Sequence, residues 1–425
     1  MKITGPKGTH DILYENIYKW QFIESQLKNL VELYDYQEMR TPIFENTDLF
    51  LRGVGDTTDI VDKEMYTFKD KGDRSITLRP EGTAGVVRSF IEHSCYNEVL
   101  PGKFYYYGPM FRYSRPQAGR YRQFHQFGVE ALGSADPFLD GEVLELMMNM
   151  FKALGLKQLK LEINSVGCPV CRPVHKEKLK DYLKSHYDQL CPTCQSRYEK
   201  NPLRIFDCKS ATCQEIIQKG PYITDNLCDD CENHFIKVKE YLDMVELEYE
   251  VNKKMVRGLD YYTKTAFEVS AGREGSQSSI GGGGRYDGLV EELGGPELSG
   301  IGFAIGLERI VMTMDEQMLF EGKLESVNKV FIASVSSNEI PETVRLVSLL
   351  RKNDIHALRD TMNRKLKAQF KYANKIGADY VITIGDEEVS SKIYTLKNMK
   401  TSKEESYVES DLINILKGEN NEFKK

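Results

Sequence analysis

Apolar residues near the start of the chain recur every three or four positions. Between residues 14 and 34 this spacing places them on one face, which predicts an amphipathic helix. Residues 83–93 predict a second helix, and the aromatic run at 104–107 predicts a strand. Two further strands are predicted at 123–132 and at 159–164, where apolar and polar residues alternate strictly.

Strand-like segments resume after a polar, cysteine-rich stretch at about 168–240. We expect strands at residues 255–256 and 265–270, followed by a glycine run at 281–284. Residues 300–315 begin with glycines and continue as a helix. Several strands with helices between them and one long insertion indicate an α+β fold, in which helices flank an antiparallel sheet.

The pattern changes after about residues 322–328. Buried-strand runs at 330–333 and 379–384 enclose two helices, predicted at 340–352 and about 363–376. This order predicts a separate α/β domain of about a hundred residues. We therefore divide the chain into two domains, 1–325 with the insertion at about 168–240, and 326–425.

Composition excludes several classes of protein. The 425 residues are 40% hydrophobic and 28% charged, which is typical of a soluble globular chain. We find no apolar run near the ~18–20 residues that cross a bilayer, and no apolar signal at the N-terminus, so we expect a cytoplasmic protein with no membrane partner. The net charge of −7 argues against non-specific coating of nucleic acid, although a local basic patch remains compatible with it.

The segment 111–125 is the first that carries recognisable chemistry, because it has four arginines and no acid. Two aromatic strands bracket it, which predicts a hairpin with a positively charged tip. Guanidinium groups form bidentate hydrogen bonds to phosphate. A solvated basic hairpin is the alternative, but Arg112 follows the apolar pair Met110 and Phe111, where an unpaired charge is costly. Arg112 is therefore expected to face an anionic ligand.

Two more arginines lie in distinctive segments. Arg257 opens the run Arg-Gly-Leu-Asp-Tyr-Tyr, and Arg309 follows the glycine-rich residues 302–306. Glycines at the start of a helix let a ligand approach the backbone closely. Three separate segments thus supply arginines suited to anion binding.

Together these segments resemble the class II aminoacyl-tRNA synthetases along nearly the whole chain. Residues 40–50 are similar to the first motif of that family, which forms a dimer interface, 111–130 to the second and 302–309 to the third. Residues 256–262 and 283–287 resemble the pair of segments particular to the histidyl-tRNA synthetases. The resemblance implies an enzyme that activates L-histidine with ATP and transfers it to the 3′-terminal ribose of tRNA(His).

The resemblance also assigns roles in binding ATP and in catalysis. Arg112 is expected to hold the α-phosphate and the substrate carboxylate, and Arg309 the γ-phosphate end. Phe124 is expected to stack on adenine. Arg257 would lie opposite Arg112 across the α-phosphate, where related enzymes use a magnesium ion, while Mg²⁺ accompanies the β- and γ-phosphates.

A histidine-binding subsite is implied as well. The substrate ammonium suits carboxylates and other acceptors, and its imidazole needs one acceptor and one further hydrogen-bonding partner. Glu130 and Tyr262 are the candidates for the imidazole. The full set of expected histidine-binding residues is Glu81, Thr83, Gln126, Glu130, Tyr261 and Tyr262.

Contacts to tRNA are expected in two places. The hairpin tip is expected to bind the acceptor end through Arg115, Gln117, Arg120 and Arg122. The C-terminal domain resembles an anticodon-binding domain, and its residues 351–371 contain seven Lys and Arg against two Asp. A solvated helix face is the alternative explanation of that charge. By resemblance the active form is a homodimer.

Two competing functions remain to be distinguished. A catalytically inactive histidine-sensing paralogue, the regulatory subunit of ATP phosphoribosyltransferase, typically lacks the anticodon domain and departs from the segment 257–262. This chain has both features. Other class II synthetases, such as those for threonine, proline or glycine, share the anticodon-domain type but lack the combination of Glu130 and Tyr262.

The cysteines are unusually clustered, since eight of the nine lie between residues 168 and 231 and only Cys95 lies outside. Three Cys-x2-Cys pairs begin at Cys168, Cys191 and Cys228, a spacing typical of zinc ligands. The synthetase family does not require zinc at this place. We therefore expect free cysteines in a helical insertion that faces tRNA, with structural zinc as the alternative.

Overall fold

The computed structural model describes residues 2–54, 58, 60–272, 279–321 and 328–417. It divides into two compact units, Met1–Glu321 and Gly322–Lys425. The boundary predicted between residues 325 and 326 falls outside the described residues.

The first unit is built on an eight-stranded sheet. Its strands run in the order β1-β5-β6-β11-β10-β9-β7-β8, and only the outermost pair on each side, β1 with β5 and β7 with β8, is parallel. A small antiparallel sheet has the order β2-β4-β3. The strands of this unit are β1 (Gln37–Glu38), β2 (Phe44–Asn46), β3 (Tyr66–Lys69), β4 (Ser75–Leu78), β5 (Gly102–Phe111), β6 (Gln123–Leu132), β7 (Leu159–Ser165), β8 (Glu250–Val251), β9 (Thr263–Ala271), β10 (Ser279–Arg285) and β11 (Gly300–Gly306).

Helices pack on this sheet and enclose the main core. The first helix turns Trp20, Ile23, Leu27 and Val31 inward, which is the three-and-four spacing seen in the sequence. The helices of the unit are α1 (Ile17–Leu33), α2 (Thr47–Val54), α3 (Thr83–Glu92), α4 (Pro137–Ala153), α5 (Cys171–Lys184), α6 (Pro192–Lys200), α7 (Ala211–Ile217), α8 (Asp229–Met244), α9 (Leu289–Glu292) and α10 (Leu307–Glu316). The predicted fold class, an antiparallel α+β sheet flanked by helices, is confirmed.

Two details of the prediction need correction. Residues 281–284 and 300–306 form the central strands β10 and β11, where we expected only glycine-rich segments. A Cβ at Gly283 would lie 2.0 Å from the carbonyl oxygen of Gly302, so the neighbouring strand occupies the space of a side chain. The strand predicted at 255–256 is a loop instead, because the Asn164 side chain, not a strand, donates to the Met255 carbonyl at 2.9 Å.

A buried ion pair joins the sheet to two helices. Arg285, at the end of β10, forms a bidentate pair with Asp140 of α4, and neither side chain is exposed. His234 of α8 contacts the same carboxylate at 2.8 Å. Burial opposes ionisation, but Arg285 and His234 hold the pKa of Asp140 below its usual range. Through His234, the Asp140 carboxylate therefore links α8, the last helix of the insertion, to α4 and the main sheet.

The insertion between β7 and β8 is helical, as predicted. It consists of α5 to α8 with short 3₁₀ turns, among them Pro202–Asp207. It has its own small core, to which Leu183, Ile205 and Ile217 belong.

The second unit is a compact α/β fold. Its sheet has the order β13-β12-β14-β15-β16, with β12 parallel to both neighbours and the last two strands antiparallel. The strands are β12 (Lys329–Ser334), β13 (His356–Arg359), β14 (Tyr380–Ile384), β15 (Ile393–Asn398) and β16 (Glu404–Val408). The helices are α11 (Ile340–Lys352), α12 (Leu366–Lys375), α13 (Asp386–Ser391) and α14 (Glu409–Lys417). Among the helices of both units that the structure describes, none combines the length and apolarity that crossing a bilayer requires.

Candidate active site

A continuous cleft lies over the central strands of the first unit. It consists of two adjoining pockets, which share Arg112, Gln126, Arg257, Gly282 and Ala304 in their linings. Two of the three arginines singled out in the sequence thus stand where the pockets meet. Any ligand that extends from one pocket into the other must pass these two arginines.

The first pocket is rich in positive charge. Besides the shared residues, its lining includes Phe124, Arg120 and Arg309. Arg309 donates from Nη1 to the Ser279 carbonyl at 2.5 Å and from Nε to the Gly119 carbonyl at 3.4 Å. Both acceptors are neutral, so they orient the guanidinium without cancelling its charge.

The neighbouring Glu308 has a structural role. Its carboxylate accepts from the backbone N–H of His125 at 2.9 Å and contacts that imidazole Nδ1 at 3.0 Å. This contact joins the start of α10 to β6, the two elements that carry Arg309 and Phe124. The contact therefore fixes the position of Arg309 relative to Phe124.

Arg112 is held in a similar way. Its Nε donates to the Pro80 carbonyl at 2.8 Å, and its guanidinium lies 5.3 Å from the centre of the Phe124 ring. The carbonyl and the ring face together fix the orientation of the side chain. Neither contact neutralises its charge.

Arg257 lies against the glycine strand β10. Its Nη1 donates to Glu268 of β9 at 2.7 Å, and the guanidinium lies 5.6 Å from the centre of the Tyr262 ring. A Cβ at Gly282 would lie 2.9 Å from that same Nη1. A side chain at position 282 would therefore displace the guanidinium from the floor of the cleft.

The second pocket is lined by the residues predicted to bind an amino acid. Glu81, Thr83, Gln126, Tyr261 and Tyr262 all face it. The Glu81 carboxylate also accepts from the N–H groups of Thr83 and Ala84, at 2.7 and 2.9 Å, and so caps α3. Burial raises the pKa of Glu81.

Gln126 contributes a second acceptor to this pocket. Its side-chain oxygen is buried and has no hydrogen-bond partner among the described residues. Buried polar atoms are nearly always paired, so this atom is suited to a donor that belongs to a ligand.

Glu130 lies beneath the pocket and is only 1% exposed. It accepts a hydrogen bond from Thr83 Oγ1 at 2.7 Å and another from the Tyr286 hydroxyl. A Cβ at Gly302 would lie 2.0 Å from its Oε2, so that glycine makes room for the carboxyl group. Burial raises the pKa of Glu130 to about 8. Glu130 reaches the pocket through Thr83 and Tyr286, whereas we had expected direct contact with the ligand.

The residues predicted to bind tRNA lie on the loop between β5 and β6, in different environments. Arg115 and Gln117 are exposed at the tip. Arg120 pairs with Glu64 at 2.7 Å and also lines the first pocket. Arg122 is folded back, with its guanidinium 3.9 Å from the centre of the Tyr113 ring. The tip therefore presents fewer free cationic groups than the sequence suggested.

Three residues of the cleft did not emerge from the sequence as site residues. Tyr286 and Tyr106 line the second pocket, and Glu268 pairs with Arg257. Tyr286 lies within the segment 283–287 that we had already singled out, which was the available signal. Tyr106 and Glu268 lie within strands and carried no separate signal.

Comparison with known proteins identifies the family. The family model for histidyl-tRNA synthetase matches residues 8–175 and 220–310, and the anticodon binding domain model matches 329–419. The chain belongs to the histidyl-tRNA synthetase family. The resemblance seen in the sequence is thereby confirmed.

Individual relatives of the histidyl-tRNA synthetase family agree over the full length. A histidine--tRNA ligase from Pelotomaculum thermopropionicum is 53% identical over 412 residues, which cover 97% of this chain and 96% of the relative. One from Clostridioides difficile is 51% identical over 418 residues, with coverage of 98% and 99%. The crystal structure of apo S. aureus histidyl-tRNA synthetase has a TM-score of 0.83 and 43% identity, covering 98% of this chain and 100% of that one.

We predict that Glu130→Gln stabilises the fold more at high pH than at low pH. Burial raises the pKa of this carboxyl from 4.5 to about 8, so between these values the unfolded chain has lost a proton that the folded chain keeps. The free energy of unfolding of the parent therefore falls as pH rises through that window, whereas glutamine carries no such penalty. Urea unfolding at about pH 5 and about pH 8 measures the difference.

The exposed Glu98 provides the control. Glu98→Gln makes the same substitution at an exposed position, where such changes usually alter the free energy of unfolding by about 0.5 kcal/mol or less. A Glu130→Gln variant that gains no stability relative to the parent at the higher pH contradicts the raised pKa.

Proposed function

We propose that this chain attaches L-histidine to tRNA(His) in two steps that consume ATP. In the first step, the histidine carboxylate attacks the α-phosphorus of ATP, the bond to the β-phosphate oxygen breaks, and pyrophosphate leaves. In the second step, histidine moves from the adenylate to the 3′-terminal ribose of the tRNA. The observation that carries the proposal is the position of Arg112 and Arg257 at the junction of the two pockets.

The first step brings two anions together, which is its main physical difficulty. The protein contributes positioning and charge neutralisation, because phosphoryl-type transfer needs little covalent help. Arg112 and Arg257 reach the junction from two different segments, after β5 and before β9, and would neutralise the α-phosphate and the carboxylate. Arg309, farther along the first pocket, would bind the γ-phosphate end, and Phe124 offers a ring face to adenine.

Mg²⁺ would accompany the β- and γ-phosphates. The donor set fits, because phosphate oxygens and water supply most Mg²⁺ ligands in such complexes, and Glu268 offers a partly exposed carboxylate beside Arg257. When bound, the ion would neutralise charge that builds up on the leaving pyrophosphate.

Histidine would be selected in the second pocket. Its ammonium group suits the Glu81 carboxylate and the unpaired Gln126 oxygen. Its imidazole would contact the hydroxyl groups of Tyr262 and Tyr286. Glu130 would orient the Tyr286 hydroxyl by accepting its hydrogen bond. A site that must pair with a polar side chain rejects substrates that lack it by about 10⁴–10⁵.

The tRNA would contact both units. The hairpin tip with Arg115 and Gln117 would meet the acceptor end. The domain beginning at about residue 326 would bind the anticodon, because Lys365, Lys367 and Lys371 are exposed on and next to α12.

We also propose that two copies associate through the small sheet. Ile43, Phe44 and Phe68 are exposed apolar side chains on or next to its strands β2 and β3. Leu49 and Phe50, at the end of the segment 40–50 that resembles the interface motif, are buried in the unit. The remaining apolar patch is what a second copy would cover.

The function is tested by ATP–pyrophosphate exchange with each of the standard amino acids. Histidine should support exchange, and amino acids without the imidazole should fall below it by roughly 10⁴ in specificity. Histidine binding without exchange would favour the histidine-sensing paralogue. Exchange driven by another amino acid would favour a different synthetase.

Replacement of Arg257 tests the catalytic assignment. Arg257→Ala should reduce the exchange rate by about 10²–10³, because it removes a pre-organised charge at the reacting phosphate. Arg257→Lys keeps the charge but not the guanidinium fork, so its exchange rate should fall between those of the alanine variant and the parent. Exchange by Arg257→Ala within a factor of about five of the parent contradicts the assignment.

The role of the C-terminal domain is tested by removing residues 326–425. Exchange should survive, because the proposed site residues all precede residue 310, whereas charging of tRNA should fall much further. Lys365→Ala combined with Lys367→Ala and Lys371→Ala provides a version that leaves the domain in place. Equal losses in both assays would mean that this domain does not contribute specifically to tRNA binding.

A further inference from the structure

Eight cysteines of the insertion assemble into two groups of four. The ligand atoms within each group lie within 4.8 Å of one another. Site one consists of Cys168, Cys171, Cys228 and Cys231. Site two consists of Cys191, Cys194, Cys208 and Cys213.

We propose that each group binds one zinc ion through four thiolates. Neither the family descriptions nor the names of the relatives mention a metal, and the family model leaves out residues 176–219, where all of site two lies. The geometry of the cysteines favours structural zinc, the alternative that their spacing in the sequence left open.

Sulfur–sulfur distances are the first argument. A tetrahedral zinc ion with Zn–S bonds of about 2.3 Å separates its sulfur ligands by about 3.8 Å. In site one, Cys168 lies 3.5 Å from Cys171 and 3.7 Å from Cys228, and Cys171 lies 3.7 Å from Cys231. In site two, the Cys191 and Cys208 sulfurs are 3.8 Å apart. A disulfide would require about 2.05 Å, so these sulfurs are not bonded to one another, and their spacing matches that of co-ligands of one ion.

The local backbone also suits bound thiolates. The N–H of Cys168 points to the sulfur of Cys171 at 3.1 Å, and the N–H of Val170 to the sulfur of Cys168 at 3.4 Å. In site two, the N–H of Cys191 points to the sulfur of Cys213 at 3.3 Å. Such N–H donors stabilise the negative charge that a zinc-bound sulfur carries.

The ordinary alternative is a set of buried thiols in a small core. Cysteine does behave as a small apolar residue, and two cysteines of site two, Cys194 and Cys213, belong to the core of the insertion. Packing alone, however, does not require the sulfurs to gather in groups of four. It also does not require each group to combine two buried with two partly exposed cysteines, an arrangement that leaves a path for an ion.

Each site would fasten a different part of the insertion. Site one joins the start of α5, shortly after β7, to the start of α8, the last helix before β8. Site two joins α6 and α7 across the turn Pro202–Asp207. The core of the insertion is small and buries little apolar area. Zinc binding at these points would supply folding free energy that this core does not.

Both sites are connected to the active site by an arginine. Arg172, the residue after Cys171, donates to the backbone carbonyls of Val166, at 3.0 Å, and of Tyr262. Arg204, on the turn within site two, donates to the Gly258 carbonyl at 3.0 Å. The two arginines thus hold the segment that carries Arg257. Zinc would position this segment indirectly, an effect that rests on the proposed function.

Metal analysis of the full-length protein, purified without chelators, tests the proposal. Inductively coupled plasma mass spectrometry should find two zinc ions per chain. Cys171→Ser and Cys194→Ser should each lose one, while Cys95→Ser, outside both groups, should keep both. Substitution with Co²⁺ should give the thiolate charge-transfer and ligand-field absorption of a tetrahedral site. Less than one zinc per chain, or iron in place of zinc, overturns the proposal.

A second measurement separates the ions from the catalytic account. Arg172→Met should retain two zinc ions but raise the KM for histidine several-fold more than the KM for ATP. If exchange fails with every amino acid while both ions are present, the proposed function fails and the zinc sites stand. If Arg172→Met also loses zinc, the effect on histidine cannot be assigned to Arg172 alone, which contradicts the separation of zinc binding from the positioning of the segment with Arg257.

Discussion

In the proposed reaction two anions, a phosphate and a carboxylate, meet in the cleft, and the guanidinium groups that line it are what would allow this. Arg112 and Arg309 are oriented by neutral carbonyl oxygens, so their charge remains available to the ligand. Arg257 is oriented by Glu268, whose partial exposure weakens the pairing. Arg285 shows the contrast, because a buried carboxylate neutralises it fully and its role is structural. The acceptor of each arginine thus indicates its role.

The glycine strands follow from the same constraint. A guanidinium can lie on the sheet only where no side chain projects, and Gly282 supplies that space beneath Arg257. Gly302 in the neighbouring strand likewise gives room to Glu130. At these two positions of the cleft floor, only glycine leaves room for the neighbouring side chain.

Much of this could be predicted from the sequence, where one physical cause acts within a short segment. Burial of one face spaces the apolar residues of α1. The arginines at 112, 257 and 309 were singled out from their segments, and the structure places all three along one pocket. Strand β10 could not be predicted, because four consecutive glycines carry no alternation to detect. In β11 the apolar residues Ile301, Phe303 and Ile305 do alternate, but they were read together with the helix that follows. Contacts between distant segments were also inaccessible, such as that between Arg172 and the Tyr262 carbonyl.

The cysteines illustrate the same limit. Their spacing marked three pairs, but not which pairs combine. Site one joins two such pairs, whereas site two joins one pair to Cys208 and Cys213, which lack that spacing. Only the folded chain shows two groups of four.

The central claim is that phosphate and carboxylate meet between Arg112 and Arg257. A crystal structure with a non-hydrolysable analogue of histidyl-adenylate measures this directly. The account predicts guanidinium nitrogens of both arginines within hydrogen-bond distance of the group that replaces the α-phosphate, with the imidazole in the pocket of Tyr262. An analogue whose phosphate mimic contacts neither arginine, with Arg257 still paired only to Glu268, would contradict it.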